Sequence, residues 1–455
     1  MRVLYPILLV VAVALSLFSC RVGRSFRTPE LKEMPATFDE EGMTEGTTAD
    51  IGWSTLYADT VLQGLISRAL DHNKDMLAAA ARVRELMAAK RITFAKMFPG
   101  AGMDLYGDRE YLNYGGDNKK YDPELHANLT FGWEIDIWGN LRWQNEAAVA
   151  AYLQSVEAQR ALRLTIVSQV AQMYFDLKAL DRELSIVRQT LEARRDAVHF
   201  ATLRYEGGLT SEIPYRQSLV ELARTETLLP KLENEIKLKE NDLSVLLGEF
   251  PAGIPRGGSD LGDVQMGTEL PVDLPSSLLE RRPDVRQAEQ NLKAAMASAG
   301  MAYADRFPRL TISLTGGLEN DALKGLINSP FSYAAGNLTA PLFAFGSKRA
   351  KYRAALAAYD QARLAYEQKV LEVFREVNDA VTAYRNMRRT AELKFNLKEA
   401  ARQYVVLAKL QYINGVIRYI DVLDAQRKFF DAQVEESKAV RNEHLALVGL
   451  YKALG

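Results

Sequence analysis

Two long stretches of the chain repeat apolar residues at the spacing of a coiled coil. In the first stretch the steps alternate between four and three residues, through Ile166, Val170, Met173, Leu177, Leu180, Leu184, Val187 and Leu191. That heptad predicts a long helix packed against other helices. No proline interrupts residues 140–205 or 347–412. At about 1.5 Å per residue each helix reaches roughly 100 Å, which exceeds a globular domain.

Each long helix is predicted to turn back on itself. Gly207 and Gly208 follow the first, and Asn414 and Gly415 follow the second; glycine readily adopts the left-handed conformation that stops a helix. The segment after the first turn carries a leucine-rich stripe at seven-residue intervals, Leu222, Leu229, Ile236 and Leu243. We therefore expect antiparallel helical hairpins whose apolar stripes are packing surfaces and not ligand sites.

Shorter segments alternate apolar and polar residues as strands do. Residues 129–137 alternate throughout, and Leu310, Ile312 and Leu314 alternate with polar neighbours. Such strands suit a membrane barrel with one face towards lipid and the other towards a wet lumen. When the strands are considered alone, a half-buried strand in a soluble sheet is the favoured interpretation, and the long helices shift the balance towards the barrel.

The chain contains the same unit twice. At an offset of 209 residues, Phe98–Pro99 match Phe307–Pro308, and Asn128–Thr130 match Asn337–Thr339. From Gly139, which matches Gly346, the offset is 207, so we expect the two-residue change between Thr339 and Gly346. Each copy of about 180 residues has the order helix, two strands, two long helices.

The predicted organisation has five parts. Residues 1–19 are a lipoprotein signal peptide, and residues 20–60 are an extended, lipidated N-terminal segment. The first repeat covers 61–249, a linker rich in glycine and proline covers 250–275, and the second repeat covers 276–455.

The N-terminus indicates export. Arg2 precedes an almost unbroken apolar run from Ile7 to Leu17, which is too short for a permanent membrane helix. Leu17, Phe18, Ser19 and Cys20 resemble the lipobox of bacterial lipoproteins. Cys20 is the single cysteine, so its thiol stands where a lipid would be attached and no disulfide can form within the chain. A stray cysteine after an ordinary signal peptide is the alternative.

Composition excludes several classes of function. The net charge of −1 gives no basic surplus for nucleic acid. The four histidines have no metal-ligand spacing, and no glycine-rich phosphate loop is present. We therefore predict no enzyme, no metal site and no cofactor other than a covalent lipid on Cys20.

Four strands per chain cannot close a barrel by themselves. In a membrane every open sheet edge leaves backbone groups without partners, so several chains must combine. Three chains would give about 12 strands, an even number within the range of outer-membrane barrels.

Several short motifs, in order along this duplicated scaffold, resemble the TolC-like outer-membrane efflux protein family, in particular its lipidated, NodT-type branch. The motifs are residues 278–284 (LLERRPD), 133–139 (WEIDIWG) and 341–346 (PLFAFG), together with Tyr412, Gly415 and residues 421–425 (DVLDA). The resemblance implies a mainly α-helical homotrimer with a 12-stranded barrel in the outer membrane. Its helical hairpins would form a periplasmic α-barrel.

The resemblance also implies partners and a role. The hairpin tips would contact a periplasmic adaptor (membrane fusion) protein, which contacts an inner-membrane transporter. Small molecules such as drugs, toxic compounds or metal ions would pass through unchanged. A lipid-anchored coiled-coil scaffold or adaptor without a pore is one alternative, and the exit channel of a protein-secretion system is another.

The resemblance points to Asp421 and Asp424 as the periplasmic gate. Threefold symmetry would bring six carboxylates to one constriction, which would favour cations. These residues can instead stabilise the first turn of the last helix. Arg418 would hold a closed state through a salt bridge, or would be a solvated turn residue.

The predicted adaptor contacts lie at the hairpin tips. They are Tyr205, Gly208, Leu209, Ser211, Tyr412 and Gly415. The alternative is that the glycines only cap the helices and the tyrosines only pack the turns.

Overall fold

The computed structural model describes Val22, Pro29, residues 53–57, 59–113, 119–257, Leu261 and residues 279–455. The predicted signal peptide, Cys20 and most of the predicted linker lie outside the described residues. Among the described helices, none combines the length and the apolar character that a membrane span requires.

The short helix α1 (Trp53–Leu56) lies in the N-terminal segment predicted to be extended, so that prediction is wrong for these residues. The first repeat follows the predicted order of helices, two strands and further helices. Its elements are α2 (Thr60–His72), α3 (Lys74–Ala95), β1 (Gly100–Asn113), β2 (Lys119–Ile135), α4 (Asn140–Glu206), α5 (Glu212–Glu226) and α6 (Leu228–Leu246). The second repeat comprises α7 (Pro283–Ala304), β3 (Arg309–Asn320), α8 (Leu323–Leu326), β4 (Pro330–Thr339), α9 (Ser347–Ile413) and α10 (Tyr419–Leu454).

The two long helices have the predicted extent, because α4 and α9 are each 67 residues long. The return helices differ from each other. In the second repeat α10 runs unbroken for 36 residues, whereas in the first repeat the return divides into α5 and α6 at Thr227. Pro230 accounts for the break, because it has no backbone N–H to donate to the preceding turn.

The four strands form one antiparallel sheet in the order β1-β2-β3-β4. The apolar residues of neighbouring strands face each other across it; Phe131 pairs with Leu314, and Trp133 with Ile312. In the first repeat Thr130 pairs with Gly102. At the offset of 209 the matching residues are Thr339 and Thr311, but Thr339 pairs with Arg309 instead. The two-residue change in offset therefore already applies within β4, which is earlier in the chain than expected.

Contacts divide the chain into two compact units, and the strands belong to the first, which includes Ala81–Glu157 and Arg286–Gln368. The core of this unit lies where the repeats meet. Trp143 is 2% exposed and lies directly over Gly300, where any added Cβ would collide with the indole ring. Glycine at this position allows the close approach of the two helices.

The second unit includes Ala158–Val285 and Lys369–Gly455 and has a continuous apolar core. Leu62, Leu65 and Ile66 of α2 are fully buried there with the predicted heptad residues Ile166, Val170 and Leu177. The heptad stripe is thus packing surface, as predicted.

In both repeats a side chain from another helix-terminal segment donates a hydrogen bond to a carbonyl at the C-terminus of the last helix. Asn73 donates a hydrogen bond of 2.8 Å to the carbonyl of Leu246, and Arg282, at the matching position, donates one of 2.9 Å to the carbonyl of Ala453. These are carbonyls of a last helical turn, which have no partner within the helix. Arg282 also forms ion pairs with Asp284 (2.8 Å) and Glu376 (2.6 Å). Arg282 of the family motif is therefore a structural anchor.

We expect Gly248→Ala to destabilise the protein much more than Gly415→Ala. Both glycines have positive φ, +77° and +75°, so alanine costs about 1 kcal/mol at either position. At Gly248 the new Cβ also meets the carbonyl of His72, whereas nothing lies near Gly415. The loss should exceed about 3 kcal/mol at Gly248. Thermal unfolding in detergent, followed by circular dichroism, measures the difference, and equal midpoints would contradict this account.

Candidate gate and hairpin tips

The two hairpin tips have the same backbone turn. Gly208 (φ +69°) and Gly415 (φ +75°) are in the left-handed region. In the first turn Gly208 donates to the carbonyl of Tyr205 (3.0 Å), and the next residue donates five residues back (2.9 Å). The second turn repeats both bonds, from Gly415 to Tyr412 (3.0 Å) and from the following residue (2.9 Å). This is the Schellman motif, which caps a helix with a left-handed glycine.

The tips present apolar side chains. Leu209 is 72% exposed and Val416 is 70% exposed, and Ile213 and Ile413 are exposed to a similar degree. A groove of about 400 Å³ lies beside them between α5 and α10, lined by Glu212, Ile213, Arg216, Gln217, Val220, Ile420 and Arg427. Contiguous exposed apolar surface of this kind is typical of a binding site.

The tip tyrosines pack within the turns. Tyr205 stacks on Tyr215 with ring centroids 6.1 Å apart, and Tyr412 contacts Tyr419 at 5.5 Å. Tyr205 is still 40% exposed. Ser211 precedes α5 but its side chain makes no capping hydrogen bond. Packing and an exposed contact surface are thus compatible at Tyr205.

Asp421 lies in the first turn of α10, close to Arg418. Its carboxylate accepts a hydrogen bond from the backbone N–H of Arg418 at 3.0 Å, and the guanidinium of Arg418 lies 4.0 Å away. The Arg418 side chain is 85% exposed. The geometry therefore supports the alternative role of Asp421 as a helix cap, while its half-exposed carboxylate remains accessible.

Asp424 lies one helical turn further along α10. It forms an ion pair of 2.8 Å with Lys428, and both side chains are about half exposed or more. The hydrogen bond to Asp424 raises the pKa of Lys428. Both gate candidates thus lie on one short stretch of helix, and each has a cationic neighbour within the same subunit.

A buried carboxylate that the sequence motifs missed joins the two hairpins. Glu221 on α5 is 3% exposed. Arg427 of α10 donates to it at 3.0 Å, and the buried guanidinium of Arg194 on α4 lies 3.5 Å away. Beside it, the hydroxyls of Ser218 and Tyr419 are hydrogen-bonded at 2.7 Å. The cluster of Glu221, Arg194 and Arg427 therefore fixes the tip of the first hairpin to the base of the candidate gate helix.

Repeat matching gives the one sequence signal for this cluster. Glu221 stands where the second repeat has Lys428, so a charge of opposite sign occupies the matching position. Burial alone would raise the pKa of Glu221, but the hydrogen bond from Arg427 and the charge of Arg194 lower it below the usual range. The carboxylate is therefore ionised at neutral pH.

Duplicated helical hairpins in one chain with a four-stranded antiparallel sheet are the features of a class of protein, the subunits of outer-membrane channels. The family model described as "Outer membrane efflux protein" matches residues 65–249 and 274–455. The chain belongs to this family.

Individual relatives agree. Outer membrane protein OprJ of Pseudomonas aeruginosa is 30% identical and aligns over 97% of this chain and 94% of the relative. The probable outer membrane lipoprotein SilC of Salmonella typhimurium is 29% identical over 89% of this chain and 88% of its own length. The open state of the Neisseria gonorrhoeae MtrE outer membrane channel matches with a TM-score of 0.87 and 25% identity, over 96% of this chain and 98% of that structure.

These comparisons confirm the predicted fold class, localisation and role. The protein has the mainly helical, duplicated fold of TolC-like channels and is an outer-membrane component of an efflux system. Members of the family are passive channels, so the protein is not an enzyme.

We expect Glu221→Gln to destabilise the protein by about 3 kcal/mol at pH 7, because Arg194 is left buried without a carboxylate. A carboxyl whose folded pKa is lowered stabilises the fold above its unfolded pKa and loses this contribution as the pH falls through the folded value. The difference from the wild type should therefore be complete above about pH 5 and should shrink below about pH 4.

Thermal unfolding between pH 7 and pH 3 measures this effect. Glu233→Gln is the matched control, since Glu233 pairs with Arg188 at the surface, with both side chains more than half exposed. An exposed pair contributes about 0.5 kcal/mol or less. If both variants had the same midpoint at pH 7, the cluster would not stabilise the hairpins.

Proposed function

We propose that three copies of this chain form the exit channel of a tripartite efflux pump, through which small molecules leave the periplasm and cross the outer membrane. One observation carries the proposal. Within the described residues, β1 pairs only with β2 and β4 pairs only with β3, so both edges of the sheet are open.

The membrane turns these open edges into a requirement for assembly. The strands are 14, 17, 12 and 10 residues long, which is enough to cross the hydrocarbon core as a tilted barrel strand. Lipid offers no hydrogen-bond partners to an open edge, so each edge must pair with another chain. A closed ring of about 12 strands satisfies every edge.

The hairpin tips are the proposed contact with a periplasmic adaptor protein, which would in turn contact an inner-membrane transporter. The exposed side chains of Leu209, Ile213 and Val416 and the adjoining groove support this role. Tyr205, Gly208, Ser211, Tyr412 and Gly415 form or flank the same turns. We propose that they shape this surface, with the glycines fixing its backbone.

Asp421 and Asp424 are the proposed periplasmic gate, with Arg418 beside Asp421. Their half-exposed carboxylates on the first turns of α10 support this proposal. Around a threefold axis, six such groups would attract cations and repel anions.

Cys20 is the proposed site of lipid attachment. The lipobox-like residues before it support this proposal, as does the description of the relative SilC as a probable lipoprotein. The lipid would hold the N-terminal segment at the inner face of the outer membrane.

The purified protein is expected to form stable ion-conducting pores in planar lipid bilayers, because closure of the sheet encloses a water-filled lumen. Single-channel recording of the detergent-purified trimer is the measurement. A folded trimer that conducts no ions would favour the lipid-anchored scaffold. A pore that passes an unfolded polypeptide, but does not increase efflux of small dyes from cells, would favour protein secretion.

Asp421→Ala combined with Asp424→Ala is expected to raise the resting conductance and to weaken the preference for cations, since the constriction loses its charge. Asp431→Ala is the matched control, because this exposed carboxylate lies further along the same helix. Unchanged reversal potentials in a salt gradient would remove both residues from the gate.

Cys20→Ser is expected to abolish incorporation of radioactive palmitate, because the chain then has no thiol to accept an acyl group. Labelling of growing cells followed by gel electrophoresis measures the incorporation. Label that persists in the variant would contradict the proposed site.

A further inference from the structure

The junction between the two repeats contains an aromatic contact. Trp138, which follows β2, stacks on Phe307, which precedes β3, with ring centroids 4.7 Å apart and planes at 22°. The indole N–H of Trp138 also donates to the carbonyl of Pro308 at 2.8 Å. Tyr303 also packs edge-on against Phe307, with ring centroids 5.6 Å apart. The segment that follows β2 in the first repeat is thereby fixed to the segment that precedes β3 in the second repeat.

The first repeat carries residues that match the surface on which Trp138 packs. Phe98 matches Phe307, Pro99 matches Pro308, and Phe94 matches Tyr303, all at the offset of 209. Phe94 and Phe98 pack against each other at 5.1 Å, as Tyr303 and Phe307 do. Yet Phe94 is 50% exposed and Phe98 is 55% exposed. No described aromatic residue stacks on Phe98 in the way that Trp138 stacks on Phe307.

The second repeat carries the segment that matches Trp138, and this segment is exposed within the part of the chain that the structure describes. Phe345 matches Trp138 at the offset of 207. Its side chain is fully exposed, Phe343 is 90% exposed and Leu342 is 84% exposed. Phe345 is also the one described non-glycine residue with positive φ, +44°. A strained, fully exposed aromatic residue is costly in water, so a partner surface is expected.

We propose that the segment Pro341–Phe345 of one copy docks on Phe94 and Phe98 of the next copy, with Phe345 stacked on Phe98 as Trp138 is stacked on Phe307. The occupant of the exposed aromatic surface is therefore a second copy of this chain. This inference rests on the trimeric channel proposed above and specifies its subunit contact.

Residue sizes at the two junctions are complementary. Inside the chain the large Trp143 lies over Gly300. The matching pair at the subunit contact is Ala350 with Arg91, so the large residue is now on the opposite helix. Close packing requires that one side be small wherever the other is large. Each junction therefore has one large and one small residue, as expected if the two pairs of helices pack in the same way.

The internal junction also supplies the strand register. Phe131 of β2 pairs with Leu314 of β3. The pairing of β4 with β3 gives an offset of 207 between β2 and β4, so Phe131 matches Leu338. Between β1 and β3 the offset is 209, so Leu314 matches Leu105. Leu338 of one copy should therefore lie opposite Leu105 of the next, which joins two exposed apolar residues on one face of the sheet. The alternation of apolar and polar faces then continues across the contact.

Thermal dissociation of the trimer, followed by gel electrophoresis in detergent, tests the aromatic contact. Phe345→Ala and Phe98→Ala should each lower the dissociation midpoint, and the double variant should lower it by much less than the sum, because the two rings share one contact. Phe345→Trp should raise the midpoint, since its indole N–H can donate to the carbonyl of Pro99 in the next copy. Phe250→Ala is the control; Phe250 is 94% exposed but belongs to neither surface.

Cysteine cross-linking tests the register in a Cys20→Ser background. Leu105→Cys with Leu338→Cys should form disulfides between subunits rapidly, whereas Met103→Cys with Leu338→Cys, displaced by two residues, should react several-fold more slowly because diagonal neighbours are about 7 Å apart.

The outcomes separate the two proposals. A conducting trimer with additive aromatic losses, or with faster cross-linking of the displaced pair, would overturn the subunit contact and leave the channel in place. A wild-type protein that forms no trimer would overturn both.

Discussion

The pairing of backbone hydrogen-bonding groups at the edges of the sheet is the constraint on which the rest of the structure depends. β1 and β4 each have one strand partner among the described residues. In lipid an unpaired edge costs several kcal/mol per group. The chain therefore has a complete junction only between its own two repeats, and copies of the chain must supply the others. The proposed channel, and the proposed convergence of Asp421 and Asp424 around a shared axis, both depend on that incompleteness.

Duplication solves this assembly problem with one type of contact used twice. Trp138 and Phe307 belong to one chain, so their stacking contact forms within each subunit. The matching surfaces, Phe345 and Phe98, are exposed. The repeats have also diverged where they do different work. Asn73 and Arg282 both bond a helix-terminal carbonyl, but Arg282 additionally pairs with two carboxylates.

A buried ion-pair cluster holds the helices of the hairpins together, whereas their turns are exposed. Glu221, Arg194 and Arg427 join the first hairpin to α10 just behind the turns, with the carboxylate almost fully buried. Beyond this cluster the residues are apolar and exposed, as at Leu209 and Val416. A movement of α10 that opened the gate would have to carry Glu221 with it or break a buried ion pair, which costs about 3–5 kcal/mol. The cluster thus couples the candidate gate to the neighbouring hairpin.

The sequence alone determined what depends on local periodicity and on turn chemistry. The heptads predicted α4 and α9, the alternation predicted strands around Phe131 and Leu314, and Gly208 and Gly415 marked the turns, because each of these signals needs only neighbouring residues. Only the tertiary structure decided which distant residues meet. The two-residue displacement of β4 and the burial of Glu221 against two arginines follow from the packing of segments far apart in the chain. No local pattern records such packing, since the same carboxylate on a solvated face would have the same sequence neighbours.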